Sequence, residues 1–124
     1  MAQEPLISII DDDDSLRTAL VGLVRSLGYR ASAFGSATEF LAAGEPSASD
    51  CIVTDIHMPG LSGIELKQRL TQEGCAVPVI MITARMEPGL EERAVASGAA
   101  CFLRKPFEVS ALVACVEKAL KRQP

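Results

Sequence analysis

The sequence predicts a single α/β domain, a doubly wound parallel sheet with helices on both faces. Three observations predict it. Short apolar runs alternate with helix-patterned stretches five times along the chain. The apolar runs are continuous rather than alternating, as in strands covered on both faces. The composition, 124 residues with 48% apolar and 23% charged, suits one domain that buries a core without a disulfide or a metal.

The first strand is predicted over residues 6–10, where Ile7, Ile9 and Ile10 favour extended backbone. A helix follows over 15–27, with Leu16, Leu20, Leu23 and Leu27 on one face and Gly28 as its stop. Residues 29–34 form a weaker strand. Ser36 and Glu39 have capping-box spacing, which starts a short helix ending near Gly44. Residues 45–50 read as a loop and 51–54 as the third strand, ending at Asp55. A loop rich in turn residues, 58–63, leads to a second capping box at Ser62 and Glu65. The helix it starts presents Leu66 and Leu70 and closes at Gly74. Residues 77–83 are the strongest strand signal, with Pro78 tolerable near the start. A fourth helix is expected over 91–97, after Pro88 and before Gly98. The fifth strand is placed at 100–103. Val109, Leu112, Val113, Val116 and Leu120 line one face of the last helix.

Charge and composition exclude several functions. Twelve Lys and Arg against sixteen Asp and Glu give a net charge of −4, against direct nucleic-acid binding by this domain and against a polybasic membrane anchor. No apolar run approaches the ~20 residues that span a bilayer. The start, Met1 to Pro5, carries no basic segment, so no secretory signal is expected and the reading is cytoplasmic. The four cysteines, Cys51, Cys75, Cys101 and Cys115, form no C-x-x-C pair, and His57 is the one histidine. They read as small buried hydrophobes in a reducing compartment rather than zinc ligands. No repeat or linker divides residues 1–124; 121–124 read as a frayed end or a cut at a linker.

In open parallel sheets, ligands bind at the C-terminal strand ends. Here those ends carry Asp11 to Asp14, Asp55, Thr83 with Ala84, and Arg104-Lys105-Pro106. At ~4 Å a like-charge pair repels by about 4 kcal/mol at an effective dielectric near 20, so crowded carboxylates call for a cation. Asp-only ligation suits a hard divalent ion, above all Mg²⁺, and a lysine opposite adds a point charge for a small anion such as a phosphoryl group. Part of the aspartate run, Asp13 or Asp14, reads as a helix N-cap. The metal register within Asp11–Asp14 is open by one residue, and a strand ending at Ile10 favours Asp11 and Asp12.

The motifs I-I-D-D-D-D, V-T-D-I-H-M-P-G-L-S-G, I-T-A and F-L-R-K-P-F, in this order and spacing, resemble those of the receiver domain of bacterial two-component response regulators over essentially the whole chain. The wording around Asp55 and the Lys-Pro-Phe segment is similar to the FixJ/NarL-like transcriptional regulators. The resemblance implies a (βα)5 flavodoxin-like, CheY-like domain with strand order 2-1-3-4-5. It implies Asp55 as phosphoacceptor for a sensor histidine kinase, with Mg²⁺ held by Asp11, Asp12, Asp55 and the backbone carbonyl of His57. Thr83 would bond a phosphoryl oxygen, Ala84 would leave it room, and Lys105 would pair with it. Thr83 and Phe102 would form a switch, and the Lys105–Pro106 bond would be cis, a modest preference to overcome. Phosphorylation would then change the surface of helix four, strand five and helix five, and with it homodimerisation and an output, transcription, through a DNA-binding domain absent from this chain.

Two other readings compete. A degenerate receiver would serve as a phosphorylation-independent interaction module. An aspartyl-phosphate hydrolase also uses a strand-end aspartate and Mg²⁺, but its second aspartate is replaced here by His57 and no cap domain is present. On the receiver reading the domain is not an enzyme, beyond assisting its own phosphorylation and dephosphorylation.

Overall fold

A computed structural model describes residues 4–43 and 48–121. Five strands, β1 (Leu6–Ile10), β2 (Arg30–Phe34), β3 (Cys51–Asp55), β4 (Val79–Thr83) and β5 (Cys101–Arg104), alternate with five helices, α1 (Asp14–Ser26), α2 (Ala37–Ala42), α3 (Gly63–Gln72), α4 (Leu90–Ala96) and α5 (Val109–Lys121). All strand pairs are parallel, in the order β2-β1-β3-β4-β5.

The sheet separates two cores. Leu20 and Val24 of α1 and Leu112 and Val116 of α5 pack on Ile7, Ile9, Val53, Ile80 and Ile82. On the opposite face Phe40, Leu66, Leu70 and Leu90 of α2, α3 and α4 pack on Ile10, Ile52 and Met81. β3 and β4 are buried at every position, which is why their sequences are continuously apolar. β2 and β5 are the edges and are only partly buried, so their apolar signal is weak.

Packing shifts several sequence expectations. β4 starts at Val79, two residues later than its apolar run, because the Pro78 carbonyl only accepts the Ile52 amide from just outside the strand. β5 runs to Arg104, one residue further than expected, because it pairs alongside Thr83. The buried face of α1 is Leu20 with Val24, and Leu27 lies past the helix end, exposed. Val109 is exposed on α5, and Ala119 takes a buried place instead. Lys121 is helical rather than frayed. Of the cysteines only Cys51 is fully buried; the other three are partly exposed, and all four are free thiols. Burial pushes the Cys51 and Cys115 thiols up to about 12, so both are poor nucleophiles. The expected stop at Gly44 and the first part of the 45–50 loop lie outside the described residues.

Candidate functional site

β1 and β3 are neighbours, with Ile10 opposite Thr54, so the residues that follow, Asp11 and Asp55, emerge side by side. Asp11 is fully buried. Its backbone amide still donates to the Phe34 carbonyl at 3.1 Å, and its Oδ1 accepts the Asp13 amide at 2.9 Å. Asp13 caps α1, its side chain accepting the amides of Ser15 and Leu16, and Asp14 pairs with Arg17. Asp12 is exposed beside Asp11. Carboxylate oxygens of Asp11, Asp12 and Asp55 lie within 4.8 Å of one another.

Lys105 follows β5, joined to Pro106 by a cis peptide bond, and its amide donates to the Thr83 carbonyl at 2.7 Å. Its Nζ crosses to the carboxylates, donating to Asp55 Oδ2 at 2.9 Å and Asp11 Oδ2 at 3.2 Å. Burial holds the Asp11 carboxyl above its ordinary range and the Asp55 charge adds to this, while the Asp13 amide and Lys105 oppose it. Burial pulls Lys105 down, but its hydrogen bond to Asp55 and the charges of Asp55 and Asp11 outweigh that and hold it above its ordinary range. Three clustered carboxylates with one lysine fit a hard divalent cation: the donors are all oxygen, and Asp12 lies open to solvent.

Asp55 is set by local structure. Its Oδ1 accepts the His57 amide at 3.0 Å, and the Ile56 amide donates to Ile82 O at 2.9 Å. Gly63, the first residue of α3, packs against this turn; a Cβ there would lie 2.6 Å from the Asp55 carbonyl oxygen. The Ser62–Glu65 capping box fixes the helix start.

Beyond the carboxylates, Thr83 ends β4 fully buried, its Oγ1 accepting the Arg85 amide at 3.0 Å, with Ala84 exposed next to it. The His57 ring lies 3.1 Å from Thr83 Oγ1 through Nδ1 and 3.2 Å from Glu87 Oε1 through Nε2. Arg93 Nη2 donates to Glu87 Oε2 at 2.9 Å. Phe102 is partly buried, with the Arg104 guanidinium 5.3 Å from its ring centre. Arg104 also donates to the Arg85 carbonyl at 3.3 Å.

The structure thus gathers Asp11, Asp12, Asp55 and Lys105 at one edge, with Thr83 and Ala84 at the end of the neighbouring strand. Sequence reading missed the roles of Glu87 and Arg93, and named Arg104 at a strand end without giving it a role. Their signal was weak: each reads as an ordinary surface charge, and only the fold brings Glu87 before α4, Arg93 on α4 and Arg104 at the end of β5 together.

A parallel five-stranded sheet whose first and third strands end in neighbouring aspartates defines a class of protein with an acidic pocket at the point where the strand order reverses. The family model "Response regulator receiver domain" matches residues 7–117. The transcriptional regulatory protein FixJ of Azorhizobium caulinodans is 42% identical over 116 residues, 94% of this chain and 55% of that protein. The response regulator protein TmoT of Ectopseudomonas mendocina is 37% identical over 122 residues, 98% of this chain and 56% of that protein. The crystal structure of FixJ-N superposes with a TM-score of 0.88 at 29% identity, covering 99% of this chain and 98% of that one. The chain belongs to the response regulator receiver domains, and its relatives include FixJ and other response regulators. It spans about half the length of the curated relatives it matches. Among the described residues no helix is long and apolar enough to cross a membrane.

Proposed function

We propose that residues 1–124 act as a phosphoacceptor in a two-component system, taking a phosphoryl group from a sensor histidine kinase onto Asp55. The observation that carries this reading is the contact of Lys105 with Asp55 at 2.9 Å inside the Asp11–Asp12–Asp55 cluster. An Asp55 carboxylate oxygen attacks phosphorus as the bond to the phosphohistidine nitrogen breaks, its electron pair leaving with the imidazole. Asp11, Asp12, Asp55 and the His57 backbone carbonyl would hold Mg²⁺, which when bound supplies charge neutralisation of the phosphoryl oxygens. Lys105 already bonds Asp55 and is placed to follow the developing charge. Thr83 offers its hydroxyl to a phosphoryl oxygen, and Ala84 leaves room beside it. Movement of Thr83 is passed to Phe102 and to the surface of α4, β5 and α5, which then controls homodimerisation. Transcription is the output, through a DNA-binding domain outside this chain, as the name of the FixJ relative suggests.

The test is intact-mass spectrometry after incubation with acetyl phosphate, with and without Mg²⁺, on wild type and Asp55→Asn. A Mg²⁺-dependent single phosphoryl adduct on wild type only is expected, and gel filtration of that species reads dimerisation. Absence of the adduct despite Mg²⁺ binding, with a cognate kinase also inactive, would favour the degenerate module. Steady hydrolysis of a phosphate monoester would favour the hydrolase.

A further inference from the structure

We propose that His57, aimed by Glu87, holds the Thr83 hydroxyl proton in the resting domain, so that Thr83 reaches a phosphoryl group only by releasing the His57 ring. This rests on the phosphoacceptor reading above. The argument is a count of protons. A threonine hydroxyl has one proton and two lone pairs. One lone pair of Thr83 Oγ1 is taken by the Arg85 amide at 3.0 Å. At 3.1 Å lies His57 Nδ1. The other ring nitrogen, Nε2, sits 3.2 Å from Glu87 Oε1. A carboxylate accepts and does not donate, so Nε2 carries the ring proton. In the neutral ring Nδ1 is then bare, and Thr83 donates its proton to it. Arg93, 2.9 Å from the second oxygen of Glu87, keeps that carboxylate aimed at the ring.

Thr83 is fully buried, so its proton needs a protein partner, and its transfer to a phosphoryl oxygen is an exchange of acceptors. When the exchange occurs, Nδ1 loses its donor and the ring is held by Glu87 alone. Glu87 lies just before α4, whose N-cap is Gly89 with no side-chain hydrogen bond. The His57–Glu87–Arg93 chain therefore ties the start of α4 to the ends of β3 and β4, and the same event that engages Thr83 loosens it. His57 and Glu87 are positioning residues.

The sequence has one histidine, so labelling histidine with nitrogen-15 gives two ring signals and no assignment ambiguity. The resting chain is expected to show a protonated Nε2 and a bare, hydrogen-bonded Nδ1. Adding Mg²⁺ and beryllofluoride, a phosphoryl mimic, should move the Nδ1 signal to its position in Thr83→Val, which has no hydroxyl. Glu87→Ala should bind beryllofluoride roughly 2- to 10-fold more tightly, the equivalent of one net hydrogen bond. Glu87→Gln, which keeps an acceptor oxygen, should return to the wild-type value. A resting ring protonated at Nδ1, an unmoved Nδ1 signal although fluorine NMR shows bound beryllofluoride, or unchanged affinity in Glu87→Ala would each overturn the proposal. No bound beryllofluoride on wild type would instead overturn the phosphoacceptor reading and the exchange of acceptors with it, while the resting ring signals still decide the Thr83–His57 bond.

Discussion

Helices α3 and α4 both start at the edge of the sheet where the carboxylates gather, and they are held by different means. α3 begins with a complete capping box and with Gly63 pressed on the Asp55 turn. α4 begins at Gly89, in a left-handed conformation at φ 79°, with no side chain to cap it. It is also shorter, 7 residues against 10. The start of α4 depends instead on side chains that reach across the loop: His57 to Glu87, Glu87 to Arg93, and Arg104 to the Arg85 carbonyl. A helix fixed by its own backbone and cap keeps the geometry of the Asp55 turn constant. A helix fixed by exchangeable polar contacts can answer a local change of charge, because breaking one contact needs little free energy.

The largest expected effect lies on the α3 side. Gly63→Ala places a Cβ 2.6 Å from the Asp55 carbonyl oxygen and 3.1 Å from Ile56 Cα, both backbone atoms that cannot turn aside. Overpacking of this kind should destabilise by about 1–3 kcal/mol in urea unfolding, and labelling of Asp55 should slow with it. A stability equal to wild type would mean that α3 is not pinned there. Ser62→Ala should lower stability by about 1 kcal/mol, the usual value of an N-cap, read from the same denaturation curves.

Asp11→Asn sharpens the comparison through the sign of its pH dependence. Burial raises the Asp11 carboxyl above its ordinary value, so the protonated form is favoured by folding. The stabilisation from this shift is full below the ordinary aspartate value of about 3.9 and is lost as pH rises through the folded value. Thermal melts in chelator at a series of pH values should therefore show wild type losing ground to Asp11→Asn as pH rises through that window. Added Mg²⁺ should restore wild type more than the variant. A constant gap across the series would remove the buried-charge argument.

The smallest effect belongs to the α4 side. Glu87→Ala should cost no more than about 0.5–1 kcal/mol, since Glu87 is 40% exposed and its pair with Arg93 is open to water. If it destabilises more than Ser62→Ala, the contrast between the two helices fails. Native-state hydrogen exchange gives a mutation-free check: amides of α4 should exchange faster than those of α3.

Much of the candidate site was legible before folding because strand-end position alone marks candidate ligand residues in a parallel sheet. Asp11, Asp55, Thr83 and Lys105 could be named because each lies at or just past the end of an apolar run, even the weak one of β5. The cap reading of the aspartate run was also legible, and Asp13 takes it. What escaped were groups whose partners are distant in sequence. Glu87 lies 30 residues from His57, and nothing local marks it. Helix faces were legible apart from single positions: Leu16, Leu20 and Leu23 pack on the sheet as read, but Val24 rather than Leu27 completes the buried face of α1, because Leu27 lies past the helix end.

The sequence by itself determined the alternation of five strands and helices, the glycine and capping signals that punctuate them, and the acidic residues at strand ends. These follow from backbone preference and apolar periodicity, which are local. The tertiary structure decided which strands lie at the edges, the full burial of Asp11, the reach of Lys105 to two carboxylates, and the direction of the His57 ring. Those depend on distances between residues dozens of positions apart, which are set only when both faces of the sheet are packed.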